Sequence, residues 1–537
     1  MISLPQHTSV LIVGAGPSGL MMAAQLLRNG VQPIIIDTKQ GPTNQSKALA
    51  VQARSLEIYR QMGIVDRVIS DGKQAKGLNY NLHGKQVATF NLTGMDDTQT
   101  PFPFIHLYQQ SKNERLLLDY LTQACCPVYW NTSLTKLTQT AEGVQVVLHN
   151  GETTQSLTCD YVVGADGAHS AVRKQLAIPF TGDTYQHKFY LADVKMKGDF
   201  NSDMVNLYLS KKGFAGFFPM PEEQCYRIVG SLPDNLENRE DLQLDDVMPD
   251  LNAITSSAVT KVLEVHWFTL YKLHHRMADR FSDQRCFLVG DAAHIHSPVG
   301  GQGMNTGLQD AYNLGWKLAA VVNGQIKPAI LNSYADERMP VAKNLLATTD
   351  RIFNVITSRS WFSNLLKQYV MPTGLKFLWN NERLRGYFFK RVSQTGISYR
   401  DSKINLQLGH VTKIKAGDRL PYLEIFDEKK QHKTDIHAWC SKPGFTLITM
   451  GDIQESYLFT LAKWITANYN GSLHFFHLPP SEKNRHVFDT FEVHQLTRKA
   501  IIVRPDLHIG FINPLVDIEQ MNNYLQNVIG FNPKVKP

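Results

Sequence analysis

Residues 14–19 read Gly14-Ala15-Gly16-Pro17-Ser18-Gly19, directly after the apolar run Val10-Leu11-Ile12-Val13. A helical stretch, Leu20 to Arg28, follows, then Gly30, a second β-rich run ending Ile34-Ile35-Ile36, and Asp37. Strand, glycine turn, helix, strand and acid together make a dinucleotide-binding unit. In it Gly14 permits the tight turn, Gly16 lets the backbone approach a pyrophosphate, and Gly19 lets the helix pack close to the strand. The acid lies 18 residues after Gly19 and is placed to accept hydrogen bonds from adenosine ribose hydroxyls. A turn that needs glycine for shape alone would explain the glycines but not the acid. Two further strand-end acids follow, in Gly164-Ala165-Asp166-Gly167 and in Val289-Gly290-Asp291. After the second comes the loop His296-Ser297-Pro298-Val299-Gly300-Gly301-Gln302-Gly303-Met304-Asn305, then a helix over Leu308 to Val322. Ligands of open α/β sheets sit at the carboxyl ends of strands, so one long ligand could touch all three loops.

The elements that must position these residues follow from the rest of the chain. At 537 residues it is too long for one core. Net charge is +7, without a basic block or aromatic–basic stripe, which argues against nucleic-acid binding. The N-terminus lacks a basic and apolar leader, and no run of about 18 apolar residues occurs, so neither a signal peptide nor integral membrane contact is expected. Cys125, Cys126, Cys159, Cys225, Cys286 and Cys440 show no metal-like spacing, as expected of reduced thiols in a cytoplasmic protein. His274, His275, His294 and His296 lack a carboxylate or cysteine that would complete a ligand set, so no metal is expected, and they read as structural histidines. The fold class is α/β: a Rossmann-like dinucleotide-binding domain with an inserted, mostly antiparallel sheet, plus a C-terminal α/β domain. The expected boundaries are 1–180 (with a strand excursion over 76–105) and 271–350 for nucleotide binding, and 181–270 for a substrate sheet. A helical connector over 351–400 and a separate last domain over 405–537 complete the chain.

The three motifs resemble those of the single-component flavin-dependent aromatic hydroxylases, typified by p-hydroxybenzoate hydroxylase and phenol hydroxylase. They are the complete GxGxxG, the segment Asp166-Gly167-Ala168-His169-Ser170-Ala171-Val172-Arg173, and Gly290-Asp291-Ala292-Ala293-His294. The stretch Tyr312-Asn313-Leu314-Gly315-Trp316-Lys317-Leu318 is similar to the phenol hydroxylase branch. Gly417-Asp418-Arg419-Leu420-Pro421 and Arg504-Pro505-Asp506 are similar, more weakly, to that branch's thioredoxin-like C-terminal domain. The resemblance implies FAD held by Gly14, Gly16, Pro17, Ser18, Gly19 and Asp37, with Asp291 on the ribityl chain. Gly290, Gly301 and the opening amides of Gly303, Met304 and Asn305 would lie at the flavin, where a helix N-terminus stabilises negative charge. It also implies cofactor roles for Gln110 (followed by Glu114), Asp166, Arg173, Arg54 and Lys47; the last stands where relatives often carry arginine, so the planar fork is lost.

By the same resemblance NAD(P)H visits transiently, O2 is the co-substrate, and a small aromatic, phenolic compound is hydroxylated through a flavin C4a-hydroperoxide. Flavin epoxidation, a Baeyer-Villiger-type oxygenation of a polycyclic or non-phenolic substrate, and a flavin-binding protein without turnover remain the alternatives. Tyr271, in Tyr271-Lys272-Leu273-His274-His275-Arg276, is similar to a substrate-contacting tyrosine, and Pro298 would line the flavin face. Leu49 falls where phenol hydroxylase has a catalytic aspartate, which argues against simple phenol chemistry. Phe214, Phe217, Phe218 and Met220 are expected as pocket wall or core. Trp439-Cys440-Ser441-Lys442-Pro443 has proline where a thioredoxin has its second cysteine and precedes its strand, so a structural or oligomer-contact role is expected, with a homodimer favoured by the resemblance alone.

Overall fold

The computed structural model describes residues 4–533, except 45, 47, 92–98, 152, 200, 240, 257, 298, 358–370, 411 and 495–496. Lys47 and Pro298 therefore lie outside the described residues. The nucleotide-binding unit is built on His7–Val13, a strand whose last residues are buried on both faces. It pairs in parallel with Thr153–Gly164 on one side and Ile34–Ile36 on the other, and Thr153–Gly164 in turn pairs in parallel with Cys286–Leu288. The runs ending at Val13, Gly164 and Leu288 are thus neighbours, and their three loops open at one edge of the sheet. Continuous apolar runs suit such strands because helices cover both faces.

Ser18, near the start of the helix Pro17–Arg28, is seated between Gly290 and Gly307. A Cβ at either glycine would stand 2.3 Å from the Ser18 hydroxyl oxygen. That contact lets Pro17–Arg28 lie against the helix Gly303–Val322 and brings the first and third loops together.

A second eight-stranded sheet carries Phe180–Gly198, Met204–Ser210, Gly213–Pro219, Cys225–Ser231 and Val259–Ala278. It departs from the sequence expectation in three ways. The hairpin Gly77–Leu82 and Lys85–Asn91 belongs to it, through parallel pairing with Met204–Ser210. Its last long strand runs on to Ala278, beyond the expected edge at 270. The helix Leu244–Thr255 covers one face, with Leu244, Val247, Leu251 and Ile254 buried.

The C-terminal sheet runs Leu406–Gln407, Ile509–Asn513, Lys499–Val503, Phe445–Met450, Leu473–Leu478. It is less separate than its sequence suggests. Phe445, Leu447 and Ile502 share one hydrophobic core with Leu11 and Leu314 of the nucleotide-binding domain, and Phe445 meets Trp316 edge to face at 5.5 Å. Among the described residues no helix is long and apolar enough to cross a membrane.

Candidate functional site

The glycine loop is fixed by its own backbone. Gly14 has φ +108°, and its N–H donates to the Ile36 carbonyl at 2.8 Å. Asp37 is buried, and its two carboxylate oxygens accept from the Ala15 and Lys39 amides at 2.6 and 2.8 Å. The acid therefore closes the glycine turn while lining the cavity that the turn faces.

Gln110 and Glu114 hold the next wall. The Gln110 side chain accepts from the Ala48 N–H at 3.3 Å and donates to Glu114 at 3.0 Å, and Glu114 accepts from the Thr43 N–H at 3.0 Å. Together they hold Thr43 and Ala48 at the cavity wall.

In the second loop Asp166 Oδ2 caps the helix Ala171–Gln175, accepting from Ala171 N at 2.6 Å and Val172 N at 3.2 Å. Its Oδ1 is buried without a partner. Burial raises the Asp166 carboxyl above its ordinary range, opposed by bonds from Ser170, Val172 and Ala171. Arg173 donates to the Ala168 and Ala292 carbonyls at 2.7 and 2.8 Å, so it ties the second loop to the third.

The third loop is pinned by Asp310. One of its oxygens takes Gly290 N–H at 3.1 Å and His294 Nε2 at 2.6 Å, while the other takes Arg338 Nε at 2.7 Å. Burial alone would raise this carboxyl, yet Arg338 and His294 hold it down to about 2. The Asn305 side chain is spent on the protein. It donates to the Ala50 and Gly301 carbonyls at 2.9 and 2.7 Å and accepts from Gln52 N–H and the Ser55 hydroxyl. The helix Gly303–Val322 begins with no side-chain cap. Its first amides, which every helix leaves without intrahelical partners, open toward the cavity that Gly303 and Met304 line.

His296 also lines this cavity. Its Nδ1 faces the Ser297 carbonyl at 2.7 Å and its Nε2 is buried without a partner. Burial lowers His296 from 6.5 to about 4, and burial does the same to His437 in the C-terminal domain. Both rings lie below their unfolded value, so unfolding takes up protons between pH 6.5 and 4. Stability is therefore whole above pH 6.5 and falls as pH drops toward 4, by up to about 3 kcal/mol for each ring. The Asp310 share is lost only lower, between 3.8 and about 2. Urea midpoints at pH 7, 5.5 and 4.5 check this; midpoints that hold down to pH 4.5 would contradict it.

All these walls enclose one cavity of about 1950 Å³. Gly14, Gly16, Pro17, Ser18, Asp37, Gln110, Asp166, Asp291, Gly301, Gly303 and Met304 line it, and Tyr271 lines its far side. Three of the expected residues work behind the wall: Gly19 and Gly290 in close packing, Asn305 as a clamp. Arg54 is a correction. Its guanidinium faces away from the cavity, donating to Glu57 at 2.9 Å and to the Asp506 carbonyl at 2.6 Å. A buried cation takes the nearest acceptors, and these lie on its own helix and on the C-terminal domain.

Arg227 was missed. Fully buried in the second sheet, it donates to both oxygens of Asp193 at 2.7 Å and to the Ala48 carbonyl at 3.3 Å. It is the one charged member of the sheet-side wall among the described residues, between Phe189, Phe214, Phe218 and Tyr271. Phe217 and Met220 are buried, and neither lines this cavity. Cys440 is buried and its thiol is pushed up to about 12, while the Cys440 and Ser441 carbonyls accept from Gln61 and Arg28. That loop is a contact between domains.

The site fits FAD. Open space stands over Gly16, where an added Cβ would meet no atom within 4 Å, and the buried Asp166 Oδ1 has no protein partner. A family profile described as an FAD binding domain matches residues 7–349, and one described as the phenol hydroxylase C-terminal dimerisation domain matches residues 475–531. Pentachlorophenol 4-monooxygenase of Sphingobium chlorophenolicum is 33% identical over 431 residues, 78% of this chain and 76% of that protein. The 6-methylpretetramide 4-monooxygenase of Streptomyces rimosus is 34% identical over 376 residues, 69% of this chain and 65% of that protein. Among solved structures, the anhydrotetracycline hydroxylase OxyS of Streptomyces rimosus superposes with a TM-score of 0.76 at 26% identity, covering 98% of this chain and 100% of that one.

Proposed function

The chain belongs to the family of FAD-dependent aromatic monooxygenases, and from that premise we propose that it hydroxylates an aromatic compound larger than a simple phenol. The observation that carries this reading is the cavity. Its 1950 Å³ exceeds the usual span for one small ligand, roughly 300–1,000 Å³, and leaves room for a polycyclic substrate beside the cofactor. Its sheet-side wall is apolar, with Leu78, Phe90, Phe189, Phe214 and Phe218, and Leu49 adds no carboxylate. Bound FAD supplies reduction by NAD(P)H and activation of O2. The chain's part is to bind, to keep water out and to aim the ring.

Tyr271 is the polar group on that wall beside Arg227. Burial pushes its phenol well above its ordinary value, opposed only by Arg227, so its hydroxyl donates a hydrogen bond and does not act as a base. Among the described residues no base on that wall is available to ionise a substrate hydroxyl; electron-rich rings that react without deprotonation, or that ionise by themselves, fit best.

The test is NAD(P)H oxidation and oxygenated product with phenol, 1-naphthol and a tricyclic hydroxyanthraquinone. The larger rings should stimulate oxidation more and couple it better to product. Full coupling with phenol alone would overturn the size reading. In the same assay Tyr271→Phe should lower product per NAD(P)H, raising KM about tenfold as one substrate hydrogen bond is lost, with FAD affinity unchanged. The matched dimerisation segment and the exposed Phe459 and Leu515 support a homodimer. Six free cysteines, five of them buried, suit a reducing, cytoplasmic setting.

A further inference from the structure

The C-terminal domain reaches the flavin loops through buried charge. Arg504, at the end of the strand Lys499–Val503, donates to both oxygens of Glu337 at 2.6 and 2.9 Å and to Asp506 at 2.6 Å. Lys317 completes the cluster, 2.7 Å from Glu337. All four side chains are essentially without exposure, and their charges sum to zero. Burial lowers Lys317 to about 8, and Arg504 and Lys317 hold Glu337 well below its ordinary range against its burial.

The cluster does not end there. Glu337 is followed on the helix Asn332–Thr357 by Arg338, whose three nitrogens reach Asp310, the Tyr399 hydroxyl and the Thr306 carbonyl at 2.7, 2.9 and 3.2 Å. Asp310 in turn holds Gly290 N–H and His294. A second line of contact runs beside the first: the His508 ring lies tilted against Tyr399, centroids 4.3 Å apart. Buried polar contacts on either side of one helix step, from Glu337 to Arg338, thus connect Arg504 to Asp310 and Gly290, beside Asp291.

We propose that Arg504 and Glu337 are positioning residues of the flavin site, so that the C-terminal domain sets the geometry of Gly290, His294 and the start of the helix Gly303–Val322 besides any part it has in assembly. The inference rests on the reading that this region holds FAD. Such a role explains why, beside the apolar contact of Phe445 with Trp316, the domain also meets the catalytic half through ions, where further apolar contact of the same size would hold it as firmly. A charged, directional contact fixes the helix Asn332–Thr357 against Gly303–Val322 in one register, and Arg338 and Asp310 carry that register to Gly290.

The experiment measures FAD affinity of the full chain by quenching of flavin fluorescence, with the visible circular dichroism of the bound flavin as a second readout. Removing Arg504 alone would strand Glu337, so the main variant is Arg504→Met combined with Glu337→Met, which keeps the cluster neutral. It should remain folded, bind FAD about tenfold more weakly and change the dichroism of the bound flavin. Ile448→Ala, in the core of the C-terminal domain, removes apolar packing and lowers stability while leaving every charged member of this series in place. That variant should keep wild-type FAD affinity and dichroism even with a lowered thermal midpoint. Equal affinity in the double variant and wild type would overturn the proposal, as would equal losses in the double variant and Ile448→Ala. Wild-type protein that takes up no FAD would sink the flavin-site reading itself, a different result from either.

Discussion

Gly14→Ala is expected to give a destabilised protein that takes up no FAD, whereas Gly16→Ala is expected to fold normally and bind FAD weakly. The two glycines stand two residues apart and are needed for different reasons. Gly14 sits at φ +108°, where an L-residue is strained, and its added Cβ would lie 2.3 Å from the Ala165 carbonyl oxygen. That oxygen is backbone, and the Ala165 N–H is tied to the Val13 carbonyl at 2.7 Å. Relief means parting the two central strands, so strain and overlap together cost about 3 kcal/mol or more. Gly16 has φ −82° and ψ −175°, and its Cβ would meet no atom within 4 Å. The flavin-free Gly16→Ala protein should therefore match wild type within about 0.5 kcal/mol. The methyl group would occupy the space offered to the pyrophosphate, and overpacking of roughly 1–3 kcal/mol gives about a ten- to hundredfold loss of affinity. Urea midpoints of the two flavin-free proteins, with FAD titrations, separate the cases. Equal destabilisation by both substitutions would mean that the space over Gly16 serves the fold alone.

The contrast also marks what the sequence could and could not tell. Gly14, Gly16 and Asp37 were legible because their partners are local: a turn, the helix start that follows it, and a strand 20 residues on. Arg54 was misplaced because its orientation depends on Asp506, which lies 452 residues away in sequence. No local pattern states that the C-terminal sheet lies on the helix Ala53–Gln61. Arg227 escaped for a similar reason. Its partner Asp193 is its direct neighbour across two antiparallel strands, a relation that exists only once their register is known. The segment over 76–105 was expected as a strand excursion of the nucleotide-binding part; its pairing with Met204–Ser210 is non-local, so no local pattern joins it to the second sheet. The helix Leu244–Thr255 is different, because its signal was present. Leu244, Val247, Leu251 and Ile254 recur at helical spacing, with Asp245 and Asp246 in the first turn.

The same long-range contact that misplaced Arg54 makes Glu57→Ala the most damaging single substitution expected outside the glycine loop. Glu57 is almost wholly buried in the helix Ala53–Gln61. One oxygen accepts from Arg54 at 2.9 Å; the other accepts from Arg419 at 3.0 Å and the Thr100 hydroxyl at 2.8 Å. Burial alone would raise this carboxyl, and Arg419, His437 and Arg54 bring it below its ordinary value. Arg419 continues outward to the Thr395 and Gln99 carbonyls at 2.9 and 2.6 Å, so one carboxylate joins the first helix after the flavin segment to the C-terminal domain. Deleting it strands two guanidinium groups where water does not reach, and breaking a buried ion pair from one side costs about 3–5 kcal/mol. Glu57→Gln keeps the shape and one acceptor, and should cost less than Glu57→Ala but more than an exposed carboxylate such as Glu428. The urea midpoint of the full chain reads the effect. A loss under about 1 kcal/mol for Glu57→Ala would mean that Arg54 and Arg419 find solvent once freed, and that the seam between the two domains is looser than its hydrogen bonds indicate.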